Sequence, residues 1–237
     1  MFMNMVGIPE LPGGVASGAS EGQQLIEIAL VLDISGSMGW NDKLQNMKDA
    51  AKEFVTSVID KNGADRVMIS IIPYNQHVYM DPGLMARLNL DDDLTVIENP
   101  PYDHANPVLG YSQANNESRC VRFRDADFDT RRLTDAAEIE IAGSFSIWNN
   151  SYNKAGEWDY WCGDHYPKVM LYQNKKKTLT DHIDTLGASG WTSIDYGMKW
   201  AVGVLDPSFQ AVVDGMVTDK EAPKTVTGHP VNFGTAD

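Results

Sequence analysis

Cysteine is nearly absent: the 237-residue chain carries two, Cys120 and Cys162, and no Cys-x-x-Cys pair. That excludes a disulfide-built scaffold, a zinc finger and a thioredoxin-like redox centre. Basic charge is scarce too, with 19 Lys and Arg against 33 Asp and Glu for a net charge of −14. Such a balance offers no broad phosphate-binding surface and argues against nucleic acid as a partner. No window approaches the roughly 18 apolar residues of a membrane-spanning helix. Residues 1–24 contain no Lys or Arg, and Pro9, Pro12 and Gly13-Gly14 break their apolar stretch, so they read as a flexible lead-in and not as a signal peptide. The histidines, His77, His104, His165, His182 and His229, show no metal-ligand spacing. Asp91 to Asp93 lacks the alternation, central Gly and closing Glu of a Ca²⁺ loop and reads as a solvated acidic edge.

What is present begins with Leu25 to Leu32, a continuous apolar run of strand length. Continuity, in place of alternation, predicts a strand covered on both faces, the central strand of a parallel sheet. The next segment has apolar residues at Leu44, Met47, Ala51, Phe54, Val55 and Val58, with Asn41 or Asp42 as N-cap and Asn62-Gly63 as a stop, which predicts an amphipathic helix. Arg66 to Ile72 reads as a second strand, halted by Pro73. Strand, helix and strand together make a βαβ-sized unit.

After Tyr74 the character changes. From Asp81 to Glu140 there are 13 acidic and 6 basic side chains. The following stretch is aromatic, with Phe145, Trp148, Tyr152, Trp158, Tyr160, Trp161, Tyr166 and Tyr172. Residues 76–177 therefore read as an insertion, acidic then aromatic-rich, in which short strands or a small subdomain are expected because a structureless loop of that length is rare. Regularity returns with a short helix from Thr178 to Leu186, the loop Ala188-Ser-Gly-Trp-Thr192, and a helix from Ser193 to Leu205 carrying Ile194, Met198, Ala201, Val202 and Leu205 on one face. The core thus falls in residues 25–75 and 178–237. Cys120 and Cys162, 42 positions apart, are either a disulfide or two unrelated buried thiols.

The chemistry concentrates in Asp33-Ile-Ser35-Gly-Ser37-Met-Gly39. A carboxylate and two hydroxyls at i, i+2 and i+4, in a Gly-containing loop leaving the carboxyl end of a buried strand, can converge their oxygens on a hard cation. Open α/β sheets bind ligands at that end of their strands. An aspartyl-phosphate site would need a carboxylate at Ser35, and a Gly-x-Ser-x-Gly elbow would need Gly there, so both fail at one residue.

Asp33-x-Ser35-x-Ser37 resembles the metal-ion-dependent adhesion site of von Willebrand factor type A (vWA) domains. Thr192, in Gly190-Trp-Thr192 ahead of a helix, matches that family's distant Thr loop. The resemblance implies a Rossmann-like, doubly wound α/β domain with a mostly parallel central sheet. It also implies an octahedral Mg²⁺ or Mn²⁺ held by Asp33, Ser35, Ser37 and Thr192, and an open position for an acidic residue of a protein partner. Trp40 and Trp191, beside the two loops, either form a partner-contacting rim or pack the loops together. A fifth ligand, an Asp in a Thr-Asp-Gly turn, is matched poorly by Thr218-Asp219-Lys220, since Asp214 and Gly215 interrupt the strand that should precede it. The later strands are expected past Asp237, so the chain reads as C-terminally truncated, with an unpaired strand edge.

Leu-Val-Leu-Asp33-Ile-Ser-Gly-Ser-Met38, Ile-Ser-Ile-Ile-Pro-Tyr-Asn75 and Trp191-Thr-Ser-Ile-Asp-Tyr-Gly-Met-Lys-Trp-Ala201 also look like bacterial Tad (Flp) pilus-assembly proteins of the TadG kind. That resemblance implies an extracytoplasmic, membrane-anchored parent protein and a non-enzymatic role in pilus assembly or adhesion. A scaffolding module with a vestigial metal site is the alternative within the same fold. A hydrolase using Ser37 or Asp33 is the alternative of a different class, and no His or other base is spaced to activate either residue.

Overall fold

A computed structural model describes residues 25–88, 90–91, 119–133, 139–141, 162 and 166–231. The lead-in 1–24, Asp92 and Asp93, and the aromatic residues from Phe145 to Trp161 lie outside them. In chain order the elements are β1 (Ile26–Asp33), α1 (Lys43–Asn62), β2 (Val67–Tyr74), α2 (Pro82–Arg87), β3 (Leu90–Asp91), β4 (Val121–Arg122) and β5 (Ile139–Ile141), then β6 (Met170–Gln173), α3 (Lys176–Thr185), α4 (Ile194–Val204) and α5 (Gln210–Thr218).

β1 and β2 pair in parallel without a slip, from Ile26 opposite Val67 to Asp33 opposite Tyr74. α1 makes the crossover and ends as the sequence predicts: Gly63 takes φ +90°, open to glycine, and donates its N–H to Ile59 O. At the other end Asn41 and Asp42 both adopt φ +55°, a region these two residue types tolerate, and Asp42 occupies the cap position without a side-chain cap bond. Pro73 does not halt β2. Ile34 N–H bonds Tyr74 O, so Pro73 turns its missing donor toward the opposite edge of the sheet, beyond the last paired β6 residue, Met170 opposite Ile71.

That opposite edge carries β6, which lies within the stretch read as insertion and runs antiparallel to β2. The sheet order is β1-β2-β6. This sheet holds one parallel and one antiparallel pairing, and the doubly wound parallel arrangement is not seen among the described residues. β1, expected as a central strand with an unpaired edge, has β2 as its one described neighbour. This explains why β2 is buried along its whole length while β1, equally apolar, is mostly half-buried.

Both faces of the sheet are covered. Period-two alternation sends Leu32, Val67, Ile69 and Ile71 toward α1 and α3, where Ala51, Val55, Ile59, Leu179 and Ile183 complete one core, while Phe54 stays exposed. Met68, Ile72 and Tyr74 face α4 and α5, meeting Trp200, Val204, Val213 and Met216. α3 starts two residues before Thr178. On α4 the apolar face read from the sequence is only partly the buried one. Ala201 is buried, yet Ile194, Met198 and Val202 are exposed. Gly197 decides the packing: a Cβ there would lie 2.8 Å from the Tyr74 ring and 3.0 Å from Val31, and this close approach buries the Gly197, Trp200, Ala201 and Val204 face instead. Residues 212–217, a poor match to a strand because Asp214 and Gly215 interrupt them, lie in α5.

Within residues 76–177, where short strands or a small subdomain are expected, three short strands form a second sheet ordered β3-β5-β4. Cys120 and Cys162 are bonded to each other, with Cα atoms 5.5 Å apart.

Candidate functional site at the carboxyl end of the first strand

Asp33 is the last residue of β1, and the chain turns away there because Ile34 is fully buried in the α1 side of the core. Ile34 N–H bonds Tyr74 O at 2.8 Å, and Ile34 O accepts Ser189 N–H at 2.9 Å. Asp33 Oδ1 accepts the Ser35 amide at 2.7 Å, which curls the loop back on the strand end. A 3-10 turn over Gly36–Gly39 follows, with Met38 N–H on Ser35 O. The Ser35 and Ser37 hydroxyl oxygens stand 3.4 Å apart, Ser35 buried and Ser37 exposed. Asp33, half-buried at the strand end, places negative charge near Tyr74, whose hydroxyl pKa is raised first by burial and then by that charge.

The Thr192 loop lies against this turn. Gly36 N–H donates to Gly190 O at 2.9 Å, and a Cβ on Gly36 would sit 2.9 Å from that same oxygen. Gly190 has φ +74°, and a Cβ there would fall 2.0 Å from Gln76 Oε1, so both backbone freedom and space require glycine. Thr192 is exposed two residues further on. The fold thus brings together, from chain positions about 155 residues apart, the two loops that carry Asp33, Ser35, Ser37 and Thr192. Trp40 and Trp191 are 72% and 66% exposed, so their rings face solvent at the margin of the loops.

The donor set suits a hard cation: one carboxylate and neutral hydroxyl oxygens, without sulfur or nitrogen. Neighbouring ligands around an octahedral Mg²⁺ with bonds of about 2.1 Å stand about 3 Å apart, close to the separation of the two serine hydroxyls. Among the described residues no hydrogen bond takes the second Asp33 oxygen. Asp219 stands elsewhere, pairing with Arg87 of α2 at 2.5 Å.

A second cluster has the composition of a metal site but not its chemistry. Ligand atoms of His77, Cys120 and Cys162 lie within 4.8 Å of one another, yet the sulfurs are joined in the disulfide and offer no thiolate. His77 packs edge-on against Tyr196, and burial lowers its pKa to about 4, leaving it neutral at pH 7.

Sequence reasoning missed Asn75, Gln76 and Tyr79. All three are buried, and the first two directly follow β2. Two amide side chains next to a buried strand were the available signal, since buried amides require partners.

An α/β domain with an oxygen-lined turn at the carboxyl end of a parallel strand is the class these observations define. Residues 28–87, from β1 through α2, match the family described as von Willebrand factor type A domain. The matched span contains Asp33, Ser35 and Ser37 and stops before Thr192. No curated protein and no solved structure matches the chain.

Proposed function

We propose that this chain is a divalent-metal-dependent protein-binding or adhesion module, and not an enzyme. The observation that carries the reading is the hydrogen-bonded contact between the two ligand loops, Gly36 N–H on Gly190 O and Ser189 N–H on Ile34 O. It holds the loop that carries Thr192 against the Asp33-x-Ser35-x-Ser37 turn, and that turn lies within the family match. Asp33 supplies the one anionic ligand, Ser35, Ser37 and Thr192 supply neutral oxygens, and Mg²⁺ or Mn²⁺ is the ion of matching hardness. Bound there, the cation supplies a positive anchor for a carboxylate of a protein partner, which an acidic protein would otherwise repel. Trp40 and Trp191 flank that position as exposed aromatic contacts. The resemblance to TadG-like proteins supports a place in Tad pilus assembly or adhesion outside the bacterial cytoplasmic membrane, and extends the fold to the Rossmann-like, doubly wound architecture.

Calorimetric titration tests the site. Saturable Mg²⁺ and Mn²⁺ binding, lost in Asp33→Ala and weakened in Thr192→Ala, is the expected result. Binding that is absent, or unchanged in Asp33→Ala, rejects the reading.

A further inference from the structure

The Thr192 loop is held from below by a closed relay of side chains. Trp191 N–H donates to Gln76 Oε1 at 2.8 Å. Gln76 Nε2 donates to the Tyr79 hydroxyl at 3.3 Å, which donates to Asn75 Oδ1 at 2.8 Å. Asn75 Nδ2 donates to Ser189 O at 3.1 Å. The Asn75 carbonyl accepts Ser193 N–H at 2.7 Å. The backbone of the loop is therefore gripped at residues 189, 191 and 193, on both sides of Thr192. Asn75 and Tyr79 are fully buried and Gln76 nearly so. Each amide uses its oxygen and its nitrogen in opposite directions, so flipping Gln76 would aim its NH₂ at the Trp191 N–H and leave both donors without an acceptor.

The relay is anchored on its far side as well. Tyr79 stacks on Tyr166 with ring centroids 4.3 Å apart, and both pack on the Cys120–Cys162 bridge. Tyr79 N–H and C=O lie in the chain segment bridged to Lys168, and Val169 N–H bonds Tyr79 O at 2.8 Å. The grip on Thr192 thus reaches the disulfide through one buried tyrosine.

We propose that Asn75 and Gln76 are the positioning residues of the metal site, fixing Thr192 against the Asp33 turn, with Tyr79 transmitting support from the Cys120–Cys162 bridge. This rests on the metal-site reading above, and it predicts that Gln76 acts on metal affinity only through Thr192.

The test is a double-mutant cycle read by Mn²⁺ titration, with Gln76→Met, Thr192→Ala and the pair. Gln76→Met keeps the side-chain volume and removes the amide's hydrogen bonds to Trp191 and Tyr79, together with its bond to Tyr166. Outer-shell changes of this kind weaken metal affinity by about 10- to 100-fold, and the expected result is a loss in that range for Gln76→Met that shrinks below about twofold when Thr192 is already Ala. A Gln76→Met protein that binds Mn²⁺ like wild type, or an equal loss in both backgrounds, overturns the proposal. Tyr79→Phe breaks the relay one bond away and is expected to give a smaller loss. Amide exchange on the metal-free protein separates this proposal from the site reading. If wild type binds no Mn²⁺, the site reading fails, while faster exchange of Trp191 N–H in Gln76→Met, with Ile69 and Ile71 amides unchanged, still supports the positioning role. Unchanged Trp191 exchange overturns it.

Discussion

The strand end that carries Asp33 and the face that carries Lys199 are fastened in opposite ways. Around Lys199 the side chain is spent on structure. Its buried ammonium donates to the carbonyls of Asp127, Thr130 and Arg132 and so ties α4 to the turn before Leu133. Nearby, the disulfide and the Tyr79–Tyr166 stack pin the same inserted region. At the Asp33 turn the backbone carries the structure, through Gly36 to Gly190 and Ser189 to Ile34, while Ser37 and Thr192 are exposed and one Asp33 oxygen takes no described bond. That contrast supports the metal site proposed at the Asp33 turn.

The contrast can be tested from its strong side to its weak one. Lys199→Met removes the buried ammonium that holds the carbonyls of Asp127, Thr130 and Arg132, and is expected to lower stability by about 2–4 kcal/mol in urea denaturation, with Mn²⁺ affinity unchanged; a loss under 1 kcal/mol would show that the carbonyl cage is not a fastening. Replacing both cysteines by alanine opens a loop closed over a 42-residue separation and should cost about 2–4 kcal/mol. A metal-affinity loss smaller than that of Gln76→Met should accompany it.

His77 gives the next effect. Its pKa in the fold, about 4, lies below the ordinary 6.5, so on acidification the unfolded chain takes up the proton first. Stability from this group is complete above pH 6.5 and falls as the pH drops toward 4, by about 2 kcal/mol at pH 4.5. Comparing urea midpoints at pH 7.5 and 4.5 for wild type and His77→Phe should show that this part of the slope disappears in the variant. The smallest stability change belongs to Asp33→Asn, which keeps an oxygen for the Ser35 amide and is expected to stay within about 0.5 kcal/mol of wild type. The same substitution should remove most of the metal affinity. A large destabilisation there would erase the difference between the two regions.

The local half of this account was legible in the sequence. The apolar run before Asp33, the helical spacing through Ala51, Val55 and Val58, and the Gly63 stop are short-range signals, and the structure follows them. Of the two alternatives left open for the cysteines the structure has the bridge, and short strands occur within residues 76–177. What could not be read depends on partners distant in the chain. β1 has a buried strand's composition because both faces are covered, and composition says nothing about how many of its edges are paired. The exposed Ile194, Met198 and Val202 follow from a tertiary fit of Gly197 against Tyr74, which helical periodicity cannot see. Asp33, Ser35 and Ser37 were nameable from their spacing and Thr192 from the vWA resemblance, whereas the Asn75–Gln76–Tyr79 relay becomes visible only once the Gly190 turn is folded over it.

The central claim is that one cation site lies between the Asp33 turn and the Thr192 loop. Paramagnetic broadening of backbone amide signals by substoichiometric Mn²⁺ tests it most directly, because the effect falls steeply with distance and reports place as well as affinity. The account predicts early loss of the Gly36, Ser37, Gly190 and Trp191 signals, with those of Asp127, Thr130 and Val204 retained, and no such loss in Asp33→Ala. Broadening spread over other acidic surface, or the same pattern in Asp33→Ala, would contradict it.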